Sequence, residues 1–227
     1  MRRLLSMAWR NVLFAHWPVP VERVAESLPD GLVVDTYDGS AWLGVVPFEM
    51  ADIRPRGSPI GVSFNELNLR TYVTCDGQPG VYFYNLDADD RLGVEIARRF
   101  FQLPYYRARM TVHRDGSRTR FRSERTHADA PPASFQATYE PTGLPEPVRS
   151  DSLAAFLTER YRFYVADEQD RIYYADIDHA PWDLQPATVE FERNDLFTAN
   201  GFEKPDTERV VHFSPGCDVT AGRLHRR

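Results

Sequence analysis

Lysine is almost missing from this chain of 227 residues: of its 27 basic residues only Lys204 is a lysine, and the others are arginines. That scarcity excludes chemistry. A buried lysine can lose its proton, attack a carbonyl and form a Schiff base, whereas a guanidinium stays charged. Amine catalysis has one candidate, and Glu203-Lys204-Pro205 reads as an exposed loop. Cysteine is nearly as scarce. Cys75 and Cys217 stand alone, without CxxC or zinc spacing, and read as reduced cysteines of a cytoplasmic protein. No run of eighteen apolar residues occurs, which leaves no membrane-spanning helix to expect. Met1-Arg2-Arg3-Leu4-Leu5 starts like a signal peptide, but Arg10 and Asn11 interrupt it before an apolar core of useful length forms.

Positive charge is also in deficit. Thirty-three acids give a net charge of −6 at pH 7, so phosphate is repelled unless arginines cluster on one face, and no nucleic-acid partner is expected. An acidic, lysine-poor surface fits a salt-rich cytoplasm and fits arginine codon bias equally well. The sequence contains no GxGxxG, no Walker sequence and no GxSxG, and no cofactor is expected. Asp87-Ala88-Asp89-Asp90 resembles a calcium-loop fragment without the later ligands, and reads as solvated acids at a helix start.

What is present is a sizeable apolar fraction, 42%, with 13% aromatic residues, enough for one large core. No low-complexity linker or repeat divides the chain, so residues 1–227 read as a single domain. Strands are predicted at 7–15, 32–37, 40–48, 63–74, 80–86, 105–113, 118–124, 134–139, 161–165, 171–177, 188–192 and 210–213. Asp38-Gly39 and Asp115-Gly116 mark hairpins. Short helices are predicted from Val21 to Leu28, from Arg91 to about Phe101, from Leu153 to about Tyr161 and from Leu196 to Asn200, with Ser152 capping the third and Gly201 closing the last. Many short strands with few helices indicate an α+β fold, mostly antiparallel β, curled toward a barrel.

The segment from Ser63 to Val73 carries the candidate chemistry. As a strand it puts Leu67, Leu69, Thr71 and Val73 on one face and Phe64, Glu66, Asn68, Arg70 and Tyr72 on the other. A water-facing strand could look like this. Two aromatics interleaved with an acid, an amide and an arginine also suit the lining of a closed polar cavity, in which Arg70 would need a carboxylate from the protein or from a ligand. Tyr105, Arg107 and Arg109 share one face of a strand that follows Pro104. His16, His179 and His212 sit beside apolar or aromatic residues in three separate segments, with no HxxxH or HxH, so no metal site is expected.

These stretches resemble the DUF2071 family of uncharacterised prokaryotic proteins, also called YqjF-like. The resemblance spans nearly the whole chain. Its marks include Phe14-Ala15-His16-Trp17, Leu28-Pro29-Asp30-Gly31-Leu32, Glu66 through Val73, Leu103-Pro104-Tyr105-Tyr106 and His179-Ala180-Pro181-Trp182. More weakly, that family resembles the acetoacetate decarboxylase-like superfamily. The resemblance implies a cone-like antiparallel barrel with flanking helices and a closed polar cavity. It also implies that Tyr105 stands where the decarboxylases carry their Schiff-base lysine, and that Glu66 matches a glutamate of their pocket. With Tyr105 there, iminium-based decarboxylation is excluded.

The expectation is a cavity protein that binds a small anionic or keto-bearing metabolite. Glu66 and Tyr105 would be its catalytic residues, Glu66 moving a proton and Tyr105 donating to a carbonyl oxygen. Arg70, Asn68, Tyr72, His16 and His179 would bind the ligand. Acid–base work of the enolisation or hydration type needs no more than this. The alternative is a non-catalytic structural or partner-binding protein whose barrel polar residues form an internal network. A homo-oligomer is compatible with the sequence, which sets no size for one.

Overall fold

A computed structural model of the chain describes residues 4–90, 94, 103–167 and 169–227. Aspartate–glycine pairs set two of its turns. Asp38-Gly39 and Asp76-Gly77 each place two successive residues at positive φ, 49° and 76° in the first and 51° and 74° in the second. That is the geometry of a two-residue turn whose twist suits antiparallel strands.

Among the described residues the strands are β1 (Leu5–Val19), β2 (Val33–Val34), β3 (Ala41–Pro55), β4 (Val62–Cys75), β5 (Gln78–Ala88), β6 (Tyr105–Asp115), β7 (Arg118–Arg125), β8 (Ser134–Pro141), β9 (Glu146–Pro147), β10 (Arg162–Ala166), β11 (Ile172–His179), β12 (Asp183–Asn194), β13 (Val210–Ala221) and β14 (His225–Arg226). Short helices α1 (Val21–Ala25), α2 (Leu153–Thr158) and α3 (Leu196–Ala199) interrupt them. The α+β, mostly antiparallel expectation holds. The predicted helix from Arg91 to about Phe101 lies outside the described residues except for Val94. Strands are longer than predicted: β13 runs twelve residues and β1 fifteen. The first hairpin differs too, because β2 pairs with β4 and only the bridge Tyr37–Ser40 closes the Asp38-Gly39 turn.

The strand order β5-β6-β7-β8-β12-β13-β1-β3-β4 closes back on β5, giving a nine-strand barrel. β10 and β11 make a second bridge from β5 to β13. β13, β1, β3, β4 and β5 therefore also belong to a seven-strand ring, and this shared wall is covered on both faces. One face feeds the main core with Leu13, Ala15, Leu43, Val45, Leu67 and Leu69, packed against Phe121, Phe135 and α3. Burying each large apolar side chain contributes about 1.5–3 kcal/mol. The other face of the wall lines a cavity inside the seven-strand ring.

Bulges decide which residues face that cavity. Against β3, β1 carries one extra residue between Arg10 and Ala15, and Asn11 there has φ 53°. A bulge resets the two-residue alternation, so Trp9 and Phe14, an odd number apart, both line the cavity. β3 does the same at Asp52, φ 51°, which brings Met50 and Ile53 to one face. Gly216 on β13 sits against the β1 bulge. A Cβ there would lie 1.9 Å from the Trp9 carbonyl oxygen, so only glycine allows the approach.

Candidate functional site

Strand β4 builds the polar end of the cavity as its alternation predicts: Phe64, Glu66, Asn68 and Arg70 all face inward, and Tyr105 at the start of β6 joins them. The parallel pairing of Leu86 with Tyr105 sets Tyr105 beside β4. The Tyr105 hydroxyl donates to Glu66 Oε2 at 2.6 Å, and Asn68 Nδ2 donates to Oε1 at 3.2 Å. Asn68 Oδ1 is buried with no hydrogen-bond partner among the described residues. Burial pushes the Glu66 carboxyl up from 4.5 to about 7, and the two hydrogen bonds and the Arg70 charge offset only part of that. Burial, and then the Glu66 charge and its hydrogen bond, hold the Tyr105 phenol well above 10. Tyr105 is therefore un-ionised, and in this state its O–H points at Glu66 rather than into the cavity.

Arg70 is held by the end of α2. Ser152 Oγ accepts from the Ala155 amide and starts that helix. The last carbonyls of a helix have no partner inside it. Leu157 O here accepts from Arg70 Nη2 at 3.2 Å and from the Tyr72 hydroxyl at 2.7 Å, and Thr158 O accepts from Trp182 Nε1 at 3.0 Å. The Arg70 guanidinium lies 5.4 Å from the Phe14 ring centroid. Among the described residues Arg70 makes no ion pair, and its Nε is buried without a hydrogen-bond partner. The other arginines of the wall are paired, Arg160 with Asp35 at 2.6 Å and Arg54 with Asp52 at 3.3 Å.

His16 and Tyr72 come together behind Arg70 and are not part of the cavity lining. Because the Tyr72 hydroxyl donates to Leu157 O, its oxygen accepts from His16 Nε2, 2.7 Å away. Burial, and secondarily the charges of Arg70 and His212, keep the imidazole neutral. Gly44 pairs with both His16 and Arg70, and a Cβ there would lie 2.7 Å from the His16 ring and 3.4 Å from Arg70 Cγ. His179 does line the cavity. Its Nδ1 donates to the Ala180 carbonyl at 2.8 Å, and its Nε2 is buried without a hydrogen-bond partner among the described residues. Among the described residues no three His, Cys, Asp or Glu side chains gather as a metal site.

Two features differ from the sequence reading. The cavity, about 340 Å³, is walled largely by aromatic and aliphatic side chains, among them Trp9, Phe14, Phe48, Phe83 and Phe163, with Glu66, Asn68, Arg70 and Tyr105 as one polar cluster and Thr158, Arg160 and His179 as further polar lining. Alternation on β4 describes one strand of the wall; the bulges on β1 and β3 hid the rest. Asp87, read as a solvated acid, is 1% exposed and pairs with Arg125 through two hydrogen bonds, at 2.8 and 3.1 Å. Cys75 and Cys217 are free, as expected. No helix among the described residues is long and apolar enough to cross a membrane.

A family model described as an uncharacterized conserved protein, DUF2071, matches residues 6–218. The chain is 42% identical over 219 residues to the uncharacterized protein YqjF of Bacillus subtilis (strain 168), covering 95% of this chain and 89% of that protein. Among solved structures it is similar to an acetoacetate decarboxylase-like enzyme from Sphingomonas wittichii RW1, with a TM-score of 0.65 and 13% identity over 100% of this chain and 94% of the other. It is also similar to the enduracididine biosynthesis enzyme MppR complexed with pyruvate, with a TM-score of 0.65 and 14% identity over 100% and 91% of the two chains. At such identity these likenesses show the fold alone, which is acetoacetate decarboxylase-like.

Proposed function

The chain belongs to the DUF2071 family, and from that premise we propose that it binds a small carboxylate carrying a carbonyl group, with Glu66 and Tyr105 available for proton transfer beside it. One observation carries this reading: the Arg70 guanidinium faces the cavity with no carboxylate partner among the described residues, next to a carboxyl whose ionisation falls near 7. A ligand carboxylate would supply the missing counter-charge. Glu66, half-ionised near neutrality, is suited to accept a proton from carbon next to the carbonyl and return it. Once Glu66 is protonated, the Tyr105 hydroxyl is released to donate to the developing enolate oxygen. That MppR is solved with pyruvate supports the size of the head group. Schiff-base decarboxylation is not part of the reading, since Tyr105 stands in the pocket and Lys204 is exposed in a loop.

A second reading, that the polar residues form an internal network, draws on the His16–Tyr72–Leu157 hydrogen bonds. It suits those residues, which have partners and lie beyond the cavity, better than it suits Arg70.

Calorimetric titration of the full chain with pyruvate and acetoacetate tests the proposal. Charge-assisted hydrogen bonds contribute about 1.5–3 kcal/mol, so Arg70→Met is expected to weaken binding by one to two orders of magnitude. Deuterium wash-in at the carbon next to the carbonyl, followed by NMR, should require Glu66 and fail in Glu66→Gln. Equal affinity of Arg70→Met and the parent protein would overturn the carboxylate assignment.

A further inference from the structure

The cavity wall changes character along its length. On β4 the inward side chains run from Arg70, Asn68 and Glu66 to Phe64 and then Val62, and exposure rises from 2% at Glu66 to 43% at Val62. Opposite them, β3 presents Phe48, then Met50 and Ile53, which the bulge at Asp52 keeps on one face. β1 adds Met7 and Leu5, and the apolar wall continues out to Ile60, which is 77% exposed. Arg54, at the same end, is turned onto Asp52. The unpaired guanidinium and the Glu66–Tyr105 pair sit at the inner end of this gradient.

Volume points the same way. At roughly 30 Å³ per water-sized group the cavity holds about eleven such groups, and a three-carbon keto acid fills about half of it. Leaving the rest to water would wet aromatic and aliphatic surface that a ligand tail could cover.

We infer that the cavity takes keto acids with an unbranched apolar tail of several carbons, the carboxylate at Arg70 and the tail running past Phe64, Met50 and Ile53 toward Val62 and Ile60. The inference rests on the reading that the inner end holds a carboxylate, and it adds the chemical class of what lies behind that head group.

The test is a calorimetric series of unbranched 2-oxo acids from three to ten carbons against the full chain. Affinity is expected to rise about fourfold per added methylene until the tail reaches the mouth, and then to level off. Val62 and Ile60 are exposed, so Val62→Asp and Ile60→Asp leave folding intact. Each is expected to lower the ratio of ten-carbon to three-carbon affinity by about tenfold. A series that is flat while pyruvate still binds overturns the tail and spares the carboxylate reading. A rising series whose ratio neither substitution changes overturns the tail's placement. Failure of every acid to bind overturns both.

Discussion

Replacing Glu66 by Gln should change how stability depends on pH, and the sign follows from burial. The Glu66 carboxyl titrates at about 7 in the folded protein against 4.5 for an ordinary glutamate. Between those values the folded state keeps a proton that the unfolded chain has lost. Stability from this group is therefore full below about 4.5 and is lost as pH rises toward and through 7. At about 1.4 kcal/mol per pH unit of separation, the whole span amounts to about 3.5 kcal/mol, most of it lost between pH 5 and 8. Gln keeps the shape of the side chain, can still accept from Tyr105, and offers an amide N–H to the partnerless Asn68 Oδ1. It cannot titrate. Asp87, which burial pushes up to about 6, is common to both proteins and cancels in the comparison. Urea denaturation of the parent protein and Glu66→Gln at half-unit steps from pH 5 to 8 should show the parent losing about 2–3 kcal/mol relative to the variant. Curves that stay parallel over that range would falsify the assignment of a protonated, buried Glu66.

Tyr105→Phe removes the 2.6 Å donor that holds the Glu66 pKa down. It should move the Glu66 titration upward, read by carboxyl NMR, and cost about 1 kcal/mol of stability at pH 8; an unmoved titration would mean the hydrogen bond is not formed in solution. Acetoacetate with borohydride should leave the protein's mass unchanged, since the cavity lining contains no lysine, and a covalent adduct on Lys204 would overturn that expectation. Gly44→Ala puts a methyl group 2.7 Å from the His16 ring and should destabilise the protein by about 1–3 kcal/mol. A melting temperature equal to the parent's would show that the ring can move aside freely.

Much of this protein was legible in its sequence because the signals are local. Aspartate–glycine pairs fixed turns, Ser152 marked the start of α2, and period-two alternation on β4 put Phe64, Glu66, Asn68 and Arg70 on the cavity face but also placed Tyr72 there, which lies behind Arg70 outside the lining. The lysine count alone removed amine chemistry from all but one position. What alternation could not carry was anything that depends on a strand losing step. Asn11 and Asp52 adopt positive φ inside long strands, and each extra residue turns the following side chains to the opposite face. This is why the cavity proved largely apolar when one strand had suggested a polar one. Pairing across the barrel decided the rest. Asp87 met Arg125 across 38 residues, and Arg70 met Leu157 across 87. Whether a charge has a partner depends on which distant segment closes over it, and that was settled when β10 and β11 joined β5 to β13 and the second ring closed.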